Sequence, residues 1–97
     1  MTLQDFTDSL SEARPPAGLH PLATALWYDA KGDWNQAHEI AQSREGTRDY
    51  DHLHAYLHRK EGDQWNAGYW YRLAGTTVFA GTLDEEWNVL AETFLKK

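Results

Sequence analysis

The chain has 97 residues, enough for one domain and too few for two. Nine Lys and Arg against fifteen Asp and Glu give a net charge of −6, and the absence of cysteine excludes disulfides and thiolate metal sites. The acidic balance weighs against nucleic acid, no stretch approaches the ~18 apolar residues of a membrane span, and residues 1–10 lack the features of a secretion signal. A cytoplasmic protein with neither a nucleic-acid nor a membrane partner is the expectation.

In chain order, Leu3, Phe6, Leu10 and Ala13 mark one face of a helix over residues 2–13, with Thr2 and Asp5 in capping-box position. Pro15 and Pro16 end it, since they remove two backbone donors. Pro21 suits the first turn of a second helix, on which Leu22, Leu26 and Ala30 fall at spacings of four. Gly32 stops that helix, and Asp33 caps a third with Trp34, Ala37, Ile40 and Ala41 on one face. After Glu45-Gly46 a fourth helix carries Tyr50, Leu53 and Leu57. Gly62 ends it and Asp63 caps a fifth, whose apolar face is read as Ala67, Trp70, Leu73 and Ala74, with Trp70 toward the core. Residues 75–81 (GTTVFAG) read as an ordered loop. Thr82 and Glu85 form a second capping box, opening a last helix over 82–97 with Leu83, Trp87, Leu90, Ala91 and Phe94 as its stripe. The acidic run Asp84-Glu85-Glu86 complements the start of that helix. Helices of this length are marginal alone, so tertiary packing must supply most of their stability.

The strings Lys31-Gly32-Asp33-Trp34-Asn35-Gln36-Ala37 and Glu61-Gly62-Asp63-Gln64-Trp65-Asn66-Ala67 repeat at 30 residues. A helix–turn–helix recurring at such a period is the mark of stacked helical repeats. The pattern resembles tetratricopeptide repeats, in which a Gly-Asp turn precedes a small residue and then a large aromatic four positions on. Ala67 and Tyr71 match that pair; Ala37 matches, but Ala41 stands where its aromatic belongs. The resemblance spans residues 19–75. It implies an all-α, right-handed superhelix of six helices: repeat one over 19–45, repeat two over 47–75, and the N- and C-terminal helices as caps. The strings HAYLHRKEGD and YWYRLAG also resemble a set of short bacterial proteins of unknown function, a likeness that carries no activity with it.

Few residues suggest chemistry. His54 and His58, at i and i+4 on one helix, can reach a single divalent metal ion. A third ligand would come from His52, Asp51, His38 or Asp29, and spacing selects none of them. The string His38-Glu39-Ile40-Ala41-Gln42 lacks the second His of the zinc-protease signature and is set aside. No phosphate loop, nucleophile elbow or catalytic triad is recognisable, so no motif points to an enzyme and none demands a cofactor. Aromatic residues are abundant, with five Trp and five Tyr. Most suit helix interfaces, while Tyr28, Tyr69 and Tyr71 suit a groove edge. Lys60 is expected to pair with Glu61 or Asp63.

These observations favour a protein- or peptide-interaction module whose concave face presents Thr24, Tyr28, His54, His58 and Arg59, flanked by Tyr69 and Tyr71. The alternatives are a metal- or small-ligand-binding protein centred on His54 and His58, and a structural homo-oligomer, with the chain a monomer or a homodimer.

Overall fold

The computed structural model describes residues 1–97. Six helices are present and no strand: α1 (Leu3–Asp8), α2 (Pro21–Ala30), α3 (Trp34–Gln42), α4 (Arg48–Lys60), α5 (Gln64–Leu73) and α6 (Leu83–Leu95). None is long and apolar enough to cross a membrane.

The caps follow from local chemistry. Thr2 and Thr82 accept from the backbone N–H of Asp5 and Glu85, whose carboxylates return the bond in both capping boxes. Asp33 and Asp63 cap α3 and α5 through the N–H of Gln36 and Asn66. The glycine before each Asp takes the left-handed conformation that closes the preceding helix, φ 86° at Gly32 and 89° at Gly62. The N-terminal helix is shorter than its apolar spacing predicts. After Asp8 the chain tightens into a 3-10 turn over Ser9–Ser11, and Ala13 is exposed beyond it. Longer-range bonds hold that turn: Trp27 Nε1 donates to Ser9 Oγ at 3.1 Å, and Lys31 Nζ donates to the carbonyls of Leu10 and Glu12.

Helices α2 to α5 pack in sequence, each against the next. The path of α6 departs from expectation. Instead of capping the open end of the stack it folds back across α2 and α4, with α1 against its other side. Trp87 directs the turn-back, since its ring stacks on Phe6 at 5.6 Å and its Nε1 donates to the Leu26 carbonyl at 3.1 Å. Leu22, Leu26, Leu53, Leu57, Leu90 and Phe94 are thereby sealed into one core. The radius of gyration, 12.4 Å, is that of a fully packed chain of this length, about 12.5 Å, rather than of an extended stack.

Two buried carboxylates tie the layers together. Asp29 on α2 accepts from Tyr56 Oη and Lys60 Nζ, both at 2.8 Å. Lys60 therefore reaches across to α2 and does not pair with its neighbours Glu61 or Asp63. Glu86 is fully buried on α6, so it is not simply part of an exposed acidic first turn. It accepts the single proton of Tyr71 Oη, which lies 2.6 and 2.8 Å from its two oxygens, and a bond from Arg59 at 2.8 Å, and contacts His52 at 3.3 Å. Burial alone would raise the Glu86 pKa; the bonds from His52, Tyr71 and Arg59 outweigh it and hold the carboxyl below its ordinary value. Arg59 also donates to the Gly81 carbonyl and lies over the Phe79 ring, which pins the 75–81 loop.

Candidate metal centre

The turns between helices decide which side chains meet. Gly46 closes α3 with φ 90°, and its N–H donates to Asp51 Oδ1 at 3.1 Å, fixing an antiparallel α3–α4 hairpin. Residues equidistant from Gly46 then face one another. His38 and His54 each stand eight positions from it, and their Nε2 atoms lie 2.9 Å apart. Trp34 and His58 each stand twelve away, and their rings meet edge to face at 5.9 Å. The α4–α5 hairpin obeys the same rule about Gly62: His54 and Trp70, eight positions to either side, stack at 3.9 Å. His54 thus occupies the crossing of two hairpins.

The result is a cluster of three imidazoles. His38, His54 and His58 offer one nitrogen each, all within 4.8 Å of one another. Trp34 stacks on His38 at 4.7 Å, and Trp70 covers the face of His54, which is 3% exposed. His58 Nδ1 bonds to Glu61 Oε1 at 2.7 Å, which leaves its Nε2 free. A carboxylate on the far nitrogen is the arrangement that fixes tautomer and ring orientation in metal-bound histidines.

The electrostatics suit a cation bound by neutral rings. Burial, with the neighbouring His38 and His58, lowers the His54 pKa from 6.5 to about 4. Burial and His58 also lower that of His38. Both are therefore unprotonated at neutral pH, the form that ligates. The donors fit an ion in a second respect. A proton between facing nitrogens serves at most two of the three, whereas a cation accepts a lone pair from each. His54 faces His38 through Nε2, and its Nδ1 is buried without a hydrogen-bond partner. Around an ion with ~2.0–2.1 Å bonds, ligand nitrogens sit about 3.3 Å apart, a spacing between the 2.9 Å of the His38–His54 pair and the 4.8 Å within which all three lie.

The other candidate third ligands are committed elsewhere: His52 to Glu86, Asp51 to the Gly46 N–H, and Asp29 to Tyr56 and Lys60. A second group, His58 with Glu61 and Asp63, shares His58 with the cluster, and its Asp63 already accepts from Asn66 N and Nδ2. None of the molecule's cavities is lined by His38, His54 or His58.

The expected groove residues do not assemble. Thr24 is half-buried on α2, and Tyr28 meets Trp27 edge-on at 5.5 Å; neither belongs to the cluster. Arg59 is spent on Glu86 and Gly81. Tyr71 is 1% exposed, in the core and not at a groove edge. Of the face predicted for α5, Ala67 and the C-cap Ala74 are buried, but Leu73 is exposed and Tyr71 takes the core position expected of Trp70, because Tyr71 reaches Glu86 while Trp70 turns half-buried onto His54. Tyr69 is exposed, its edge on Trp70 at 5.2 Å. Spacing within one helix found His54 and His58. It left His38 unselected among four candidate third ligands and missed Trp34, Trp70 and Glu61; the mirror relation about the capping glycines or the His58 contact identifies them. Compared with protein families, curated proteins and solved structures, the chain shows no match to any of them.

Proposed function

We propose that this protein binds one divalent transition-metal ion through His38, His54 and His58. The observation that carries the reading is the convergence of three imidazole nitrogens, from two helices, within 4.8 Å. An all-nitrogen donor set suits zinc, copper, nickel or cobalt and not magnesium or calcium, which take oxygen. The ion clasps α3 to α4, and through the Trp70 stack it also braces α5. The lack of an adjoining cavity favours a structural or sensing role over catalysis on an organic substrate. The helix hairpins α2–α3 and α4–α5 are read as two tetratricopeptide-like repeats, supported by their matching Gly-Asp caps at a 30-residue spacing. An interaction role keeps one surface, the outer face of α5, because α6 lies on the side where the groove was expected.

Isothermal titration of metal-free protein with zinc, nickel and copper salts, with magnesium as control, tests the proposal. One ion per chain is expected, with affinity reduced in His38→Ala, His54→Ala and His58→Ala alike. Absence of binding by any of the three metals overturns it, as does binding that survives His38→Ala unchanged.

A further inference from the structure

Helix α5 is the edge of the stack, and α4 is its one substantial helix partner. On its opposite side Trp65, Tyr69 and Leu73, at spacings of four, form a ridge that is 76%, 42% and 52% exposed. A quarter of the chain is charged, yet α5 carries a single charge, Arg72, which makes no ion pair. Depletion of charge with enrichment in Trp, Tyr and Arg is the composition of an interface core. The ridge is also ordered in advance, since the Trp65 and Tyr69 rings stack with planes 8° apart. Little side-chain entropy remains to be lost when a partner covers it.

We infer that this face binds a second copy of the chain, α5 against α5, antiparallel about a two-fold axis at Tyr69. That pairing sets Trp65 of each copy on Leu73 of the other and Tyr69 on Tyr69. Arg72 falls opposite Asn66, one turn from the other copy's Glu61-Gly62-Asp63 turn, so the one free cation of α5 meets acid and no like charge. Each ridge exposes on the order of 400 Å² of side chain, from residues of ~150–250 Å² apiece. Two ridges with their polar rims bury about 1,000 Å², the lower end for a specific interface. The dimer is therefore weak and forms as concentration rises from micromolar toward millimolar.

Sedimentation equilibrium across that range is expected to show a reversible monomer–dimer equilibrium. Trp65→Glu, at an exposed site, should weaken it about 30-fold, as loss of an aromatic anchor does, with circular dichroism unchanged. The cysteine-free chain permits a geometric test. Under oxidation Tyr69→Cys should link to itself. Leu73→Cys should not, because its two copies lie about 12 Å apart along the helices, beyond the ~7 Å a disulfide spans. A mixture of Trp65→Cys and Leu73→Cys chains should link to each other. A monomer at every concentration overturns the inference. So does a dimer indifferent to Trp65→Glu, or self-linking of Leu73→Cys as efficient as that of Tyr69→Cys.

Discussion

Acid should weaken this fold before its carboxylates titrate, and His54 is the main reason. Its folded-state pKa is about 4, against 6.5 for the unfolded chain. Below pH 6.5 the unfolded chain takes up a proton that the folded cluster refuses. The stability contributed is complete above the unfolded value and is lost as pH falls toward the folded one. The full gap is worth about 3 kcal/mol, and about 2 kcal/mol of it is lost between pH 7 and pH 5. His38, lowered in the same direction, adds to the loss, while Glu61 beside the cluster opposes it. Carboxylates contribute below about pH 4.5, outside this window. Urea denaturation of chelator-treated protein at pH 7, 6 and 5 measures the effect, with His54→Leu as the comparison. The wild type should lose about 2 kcal/mol more than the variant over the window, about 8–16 °C in Tm. Parallel losses in the two proteins would mean that a group other than His54 is responsible.

Two further outcomes follow from named contacts. Glu61→Gln, at an exposed position, should reduce metal affinity ~10–100-fold by titration calorimetry without altering stability of the metal-free fold, because the carboxylate orients His58 and holds little else. Tyr71→Phe removes the hydroxyl that donates to both oxygens of Glu86 and should cost about 1–3 kcal/mol in denaturant unfolding, since Arg59 and His52 alone then face a buried carboxylate.

How much of the site is legible depends on the distance over which residues act. His54 and His58 are neighbours on one helix, so periodicity pairs them. His38 belongs to another helix and enters only through hairpin register. That register is itself encoded, because Gly46 and Gly62 are the turn centres and His54 is eight residues from both. The aromatic choice on α5 was harder. Trp70 and Tyr71 are adjacent and both large, so local pattern cannot rank them; a buried Glu86 on α6 decides for Tyr71.

Six helices, the caps at Thr2, Asp33, Asp63 and Thr82 and the loop at 75–81 are legible in the sequence, because caps and periodicity depend on contacts within about one turn. The position of α6 across α2 and α4, the buried ion-pair nodes at Glu86 and Asp29, and the core roles of Arg59 and Tyr71 arise from packing between helices. Those outcomes require residues from two helices to close around Asp29 and from three around Glu86. The gain arises from shared desolvation and several simultaneous hydrogen bonds, a free energy that no single segment carries.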